Sequence, residues 1–302
     1  MRGWPGVASL CVGLGLGLVS AGCGPPFDPI SFVNSLRVLG IKADPPEVAP
    51  GETSQLTTLL GPIGLDGGQP DLQWAICLRA PPPGGGSIND DCAKNETADY
   101  LTPIGSGETV SVTMPNVPPL SLGLPDATLG VYLPVRLIAR SGDQKVISFY
   151  RLRYAIGTPP NHNPVIDGMF IASGDADGGI GEDAGANALV LVGLDEHAPF
   201  EVHALDKLRI RATVAPGSDE TFPEIDGDPR NMMFTQVTEL PRFAWYITAG
   251  ELSEDITGED KPDTVLDFEK HLPSSETTID LYVVVNDDRG GTDWRHRTLI
   301  FR

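Results

Sequence analysis

The sequence predicts an all-β chain built as two tandem antiparallel β-sandwich domains. Three observations lead there. Short stretches alternate apolar and polar residues, as in Leu72-Gln73-Trp74-Ala75-Ile76 and Val110-Ser111-Val112-Thr113-Met114. Turn-formers separate them: 35 glycines and 28 prolines in 302 residues favour turns over long helices. No amphipathic helical pattern lies between the strands, so crossover connections are excluded and antiparallel layers are left.

The first 22 residues read as an export signal. Arg2 carries the only charge before Cys23, and Val7 to Val19 is apolar apart from glycine and Ser9. That run falls short of the about 20 apolar residues of a membrane span. Ser20-Ala21-Gly22-Cys23 resembles the lipobox of bacterial lipoproteins. The resemblance implies diacylation of the Cys23 sulfur, with palmitate-type chains, and cleavage before it. Two or three acyl chains anchor stably where one does not. Gly24, where an Asp would retain the protein at the inner membrane, implies the outer membrane. Residues 23–33 then form a lipidated tether with three prolines, holding the first sandwich close to the bilayer.

The first sandwich spans 34–155. A strand over 35–43 sets Arg37, Leu39, Ile41 and Ala43 on one face, and 53–60 follows after the Pro50-Gly51 turn. In 71–79, Leu72, Trp74 and Ile76 point inward, so Cys77 points to the opposite face. Strands over 108–114, 129–140 and 145–154 complete it, the last two joined at Ser141-Gly142-Asp143. Of four cysteines, Cys11 leaves with the signal and Cys23 takes lipid. Cys77 and Cys92 remain, and an even pair in an exported chain reads as a disulfide stapling the loop 81–91. A two-cysteine metal site is the alternative.

Residues 156–164 form a linker stiffened by Thr158-Pro159-Pro160 and Asn163-Pro164. The second sandwich spans 165–302. Its strands are expected over 165–172, 188–192, 200–204, 208–214, 243–248, 278–286 and 292–301, with Phe243, Trp245 and Ile247 on one face. Residues 173–187, 217–233 and 252–263 read as polar or acidic loops.

Phe243-Ala244-Trp245-Tyr246 with Gly250, the Leu281-Tyr282-Val283-Val284-Val285 run and Asp287-Asp288-Arg289-Gly290-Gly291-Thr292 carry a resemblance. They resemble immunoglobulin-like repeats of the cadherin and polycystic-kidney-disease type. The kidney-disease core motif is missing, since Ile247-Thr248-Ala249-Gly250 follows Trp245-Tyr246. Leu36-Arg37-Val38-Leu39 with the Ala43 to Gly51 stretch resembles the opening of uncharacterised envelope lipoproteins from myxobacteria-like Gram-negative bacteria. The resemblance implies an immunoglobulin-like fold for both sandwiches and an envelope address, and no chemistry.

A net charge of −20 opposes nucleic acid and suits divalent cations or basic partners. No G-x-S-x-G is present, the five histidines form no known catalytic motif, and no catalytic residue is assigned. Glu196, His197, Glu201 and His203 offer zinc ligands or a solvated strand edge. Gly179-x-Gly181-x-x-Ala184 mimics a dinucleotide fingerprint, but its acidic neighbours repel pyrophosphate. Asp175, Asp177, Glu182 and Asp183 place carboxylates on one flexible loop, the oxygen-rich set that Ca²⁺ takes; a solvated acidic loop is the other reading. Asp226, Asp228, Asp287 and Asp288 are further Ca²⁺ candidates. The expectation is a lipid-anchored cell-envelope protein with a non-enzymatic binding, adhesion or structural role. No cofactor is required, and the partner is an envelope protein or glycan. A carbohydrate-binding accessory or envelope hydrolase on the same scaffold is the alternative.

Overall fold

The computed structural model describes residues 28–62, 68–80, 88–117, 122, 125–155, 159–173, 192–193, 199–226 and 233–302. The signal segment, Cys23 and the acidic loop after Ser173 lie outside these residues. Among the described residues no helix is long and apolar enough to cross a membrane.

The first sandwich contains β1 (Arg37–Asp44), β2 (Glu47–Val48), β3 (Thr53–Gly61), β4 (Asp71–Cys77), β5 (Leu101–Ser106), β6 (Thr109–Thr113), β7 (Val131–Ser141) and β8 (Gln144–Tyr154). One sheet runs β1-β3-β6 and the other β2-β8-β7-β4-β5. Asp44-Pro45-Pro46 explains the split between β1 and β2. Proline cannot donate to a ladder, so the strand leaves β3 there and crosses to the opposite sheet. On arrival β2 pairs parallel with β8.

The second sandwich contains β9 (Ile166–Ser173), β10 (Val192–Gly193), β11 (Phe200–Val202), β12 (Leu208–Val214), β13 (Thr221–Asp226), β14 (Met233–Thr238), β15 (Arg242–Ile247), β16 (Glu251–Leu252), β17 (Ile256–Thr257), β18 (Asp263–Asp267), β19 (Thr277–Asn286) and β20 (Thr292–Phe301). Its sheets run β10-β9-β12-β18-β16 and β11-β20-β19-β15-β17. Here too a short strand, β11, runs parallel to the closing strand β20, while every other strand pair among the described residues is antiparallel in both sandwiches. This repeated strand order, with a leading strand shared between the sheets, is the immunoglobulin-like arrangement.

Each sandwich closes over its own apolar core around one tryptophan. Trp74 is buried among Leu56, Leu133, Leu137 and Leu152, and its indole N–H reaches the Gly107 carbonyl at 2.8 Å. Trp245 is buried among Ile210, Leu266, Leu281 and Val283 and donates to Thr257 Oγ1 at 2.8 Å. Burying a side chain of this kind contributes roughly 1.5–3 kcal/mol, and satisfying the indole N–H removes the cost of stranding it.

Three sequence expectations change. Residues 217–233 are not a loop throughout: β13 and β14 form a separate two-stranded hairpin, whose strand character was hidden by Pro223 and the polar residues of β13. Residues 252–263 are not a loop throughout either: β17 pairs with β15, and β18 begins at Asp263, with Thr264 and Leu266 buried between half-buried neighbours. The two residues of β17 are too few to show any alternation. In β1 the register shifts between Val38 and Gly40. That bulge turns Leu39 away from Ile41 and Ala43, although their spacing places all three on one face.

Candidate functional site: the junction between the sandwiches

The bulge in β1 has a destination. Leu39 joins Val33, Tyr282 and Val284 in a third apolar cluster, with Leu59, Tyr246 and Trp294 packed on it. Leu39 and Leu59 come from the first sandwich, and Tyr246, Tyr282, Val284 and Trp294 from the outer face of the second. Gly40 permits the close approach: a Cβ there would lie 3.3 Å from Val284 Cγ1 and 3.6 Å from Trp294 Cε3. The tether adds a strap. Phe32 bridges Ile247 in parallel, Val33 N–H donates to the Ile247 carbonyl at 2.8 Å, and Ile247 N–H donates to the Ser31 carbonyl at 2.8 Å. The segment entering the first sandwich therefore lies against the second.

Polar groups close the rest of the junction. Asn163 sends its amide N–H to the Ala43 carbonyl at 2.7 Å and accepts from Thr292 N–H at 2.9 Å. Lys42 of β1 meets Asp293 of β20 at 3.1 Å. Ile225 N–H donates to the Ala127 carbonyl at 2.8 Å, so the β13–β14 hairpin leans on the loop before β7. Tyr150 of β8 donates to the Gly290 carbonyl at 2.9 Å, and burial raises its hydroxyl pKa far above the ordinary value.

Two buried arginines brace the two sides of this junction, one on each. Arg153 Nε meets Glu47 at 3.0 Å, and its other nitrogens reach Thr128 and Tyr132. Arg289 Nε meets Glu239 at 2.6 Å, a terminal nitrogen reaches the Pro159 carbonyl at 2.9 Å, and the other pairs with Glu220. Its guanidinium carbon lies 4.9 Å from the Phe222 ring centre. One side chain thus ties the linker and the residues flanking the hairpin, Glu220 and Glu239, to the turn that carries it. Burial raises the Glu47 carboxyl above its usual range against the pull of Arg153 and Arg289. Burial likewise pushes Glu239 up to about 6, against the hydrogen bond from Arg289. A cleft of about 430 Å³ opens beside this network, lined by Asp126, Tyr132, Tyr150, Arg151, Asp288 and Thr292 among others.

The residues singled out in the sequence divide as follows. Cys77 and Cys92 are joined as a disulfide with 5.9 Å between their Cα atoms. They are buried with Leu101 in a cluster separate from the Trp74 core, which replaces the two-cysteine metal alternative. Arg136 holds the stapled segment from below, donating to the carbonyls of Cys92 at 2.9 Å and Glu96 at 3.1 Å and to that of Asn95. Cys23, Asp175, Asp177, Glu182 and Asp183 lie outside the described residues, as do Glu196, His197, Asp228 and the Gly179 to Ala184 motif. Asp287 is a turn residue: its Oδ1 accepts from Arg289 N–H at 2.8 Å and Gly291 N–H at 2.7 Å. Asp288 accepts from Leu240 N–H at 3.1 Å. Glu201 pairs with Arg302 at 3.0 Å, and His203 with Asp206 at 3.4 Å. No group of three or more potential metal-ligating side chains is assembled among the described residues.

The other described histidines are engaged as well. His162 pairs with Glu220. His271 stacks on Phe32 with ring centres 3.7 Å apart, and His296 meets Asp280 at 2.8 Å while stacking on Tyr282. Sequence reasoning missed Arg153, Glu239 and Glu47. Arg153 follows Leu152 in β8 and both are buried, which breaks the alternation a half-buried strand would show.

No protein-family model and no curated protein matches the chain. Among solved structures, a chimeric titin Z1Z2 functionalised with a decorin peptide overlaps 88% of this chain and 98% of its own, at 13% identity and a TM-score of 0.19. The D0-D1 domain of intimin overlaps 87% of this chain and 98% of its own, at 11% identity and a TM-score of 0.22. Zebrafish RET cadherin-like domains 1 to 4 overlap 76% of this chain and 40% of theirs, at 10% identity and a TM-score of 0.18. At such values these likenesses carry no functional argument, and the immunoglobulin-like assignment rests on the strand order described above.

Proposed function

We propose that this chain is a lipid-anchored protein of the cell envelope, held at Cys23, in which two fused sandwiches act as one rigid, non-enzymatic element for binding, adhesion or assembly. The observation that carries the reading is the junction. A jointed linker would leave two sandwiches free to move, whereas here an apolar cluster, a paired strap, the Lys42–Asp293 ion pair and hydrogen bonds from Tyr150, Asn163 and Ile225 span them. Rigid spacing is worth such a junction only when the outer surfaces must be presented at a fixed geometry. The non-enzymatic reading is supported by what the polar groups do. The histidines named above and the acids Glu47, Glu239 and Asp287 serve ion pairs, ring stacks and a turn. The partner we propose is an envelope protein or glycan.

Fractionation of cells expressing the wild type and Cys23→Ser tests the anchor. The wild type is expected in the outer-membrane fraction and the variant in the soluble fraction; equal membrane association of both would refute the anchor. Cross-linking the wild type in its native envelope then tests the role, with a discrete stoichiometric adduct expected.

A further inference from the structure

The β13–β14 hairpin has two edges, and the chain treats them differently. In β13, Pro223 has no N–H, and Ile225 directs its N–H away from β14 to the Ala127 carbonyl at 2.8 Å. One edge is therefore blocked by proline and covered by the first sandwich. The register pairs Thr221, Pro223 and Ile225 with Thr238, Gln236 and Phe234. In an antiparallel ladder, residues opposite each other alternate between bonded and non-bonded pairs. Pro223 and Ile225 mark theirs as non-bonded, and the Glu239 N–H to Glu220 carbonyl bond at 2.9 Å, one step beyond Thr238, keeps the phase. Phe234, Gln236 and Thr238 thus point their backbone N–H and C=O groups away from β13.

Among the described residues β14 pairs with β13 alone. Its sequence, Met-Phe-Thr-Gln-Val-Thr, is strand-forming and holds no charge and no proline, the features that normally protect an edge. Met233 and Phe234 are 57% and 60% exposed, on opposite faces of the ribbon.

We propose that this unprotected edge of β14 pairs antiparallel with the same edge of a second copy of the chain, about a two-fold axis at Gln236. The phase makes the strand self-complementary. Gln236 faces Gln236 of the second copy, Phe234 faces Thr238 and Thr238 faces Phe234, so outward-pointing groups meet outward-pointing groups. A two-fold interface requires this self-complementarity. Local charge permits this occupant: whole chains of −20 repel one another, but β14 is a neutral strip where two copies meet without opposing carboxylates. A basic partner would find no carboxylate on this strand. Pairing also extends a two-stranded ribbon, marginal by itself, to four strands. The inference is independent of the anchor.

Sedimentation of the full mature chain carrying Cys23→Ser tests it. A concentration-dependent monomer–dimer equilibrium is expected. Gln236→Lys, which sets like charges face to face, should weaken the dimer on the order of tenfold or more. Gln236→Pro removes an outward N–H and should yield a monomer whose thermal unfolding matches that of the wild type at concentrations where the wild type is monomeric. Under oxidation Gln236→Cys should give a covalent dimer and Thr235→Cys should not. A monomer at every concentration overturns the proposal, including one that binds an added extended peptide, which would give the edge to a foreign strand. A dimer indifferent to both Gln236→Lys and Gln236→Pro overturns it too.

Discussion

Glu239 and Arg289 show what a buried pair does to the chain's response to acid. Both side chains are fully buried. The Glu239 carboxyl has an ordinary value of 4.5 and is held at about 6 by burial. Between those values the folded protein keeps a proton that the unfolded chain has released. The stabilisation is fully present below pH 4.5, and it is lost as pH rises through about 6. Its full size is at most ~2 kcal/mol. Glu239→Gln keeps an acceptor for Arg289 and cannot titrate. Thermal unfolding of the wild type relative to this variant should therefore gain stability on going from pH 7 to pH 5. A wild type that loses stability relative to it over that range would contradict the burial argument. Arg289→Ala is a harsher test, because it removes the cation paired with buried Glu239 and leaves that carboxylate the Glu220 N–H at 3.1 Å. Breaking a buried pair in this way costs ~3–5 kcal/mol, which denaturant titration would read as a marked fall in midpoint. None of this was legible in the sequence. Arg289 lies inside a recognisable D-x-x-G-G turn, but its three protein partners come from residues 159, 220 and 239, and no local pattern links them.

The elements divide between what period and turn chemistry reveal and what they cannot. β4, β8, β15, β19 and β20 are long or strongly alternating, and their turns carry glycine or proline, so the sequence locates them. The Cys77–Cys92 staple followed from the cysteine count, and alternation placed it, since a residue three positions from Trp74 faces the other way. Thiol titration of the denatured, unreduced chain should find neither cysteine free. Reduction should cost roughly 3 kcal/mol in the chain-entropy model, and two reactive thiols before reduction would contradict the staple. The β1 bulge was not legible. Period-two reasoning cannot see a single extra residue, and here that residue, Leu39, is the one that reaches the neighbouring sandwich. Gly40→Val probes the element directly. The added carbons meet Val284 and Trp294, and overpacking of this kind costs ~1–3 kcal/mol. Unfolding should be destabilised with both tryptophan cores intact in the native state; an unchanged midpoint would mean the sandwiches do not press together at Gly40.

For the whole molecule, the sequence located two sandwiches and a stiff linker but not how they meet. Linker prolines argue for spacing, yet Asn163 within the linker is hydrogen-bonded to both sandwiches, and the strap before β1 pairs with β15. Stiffness is attributed to these contacts and the apolar cluster. The central claim is that the two sandwiches move as one body. Spin labels at Ser111→Cys and Ser275→Cys, one on each sandwich and both exposed in the wild type, measure it in a Cys23→Ser background with the native disulfide intact. Dipolar spectroscopy should return one narrow distance distribution that broadens when Gly40→Val is added. A broad distribution in the protein with Gly40 in place would contradict the account.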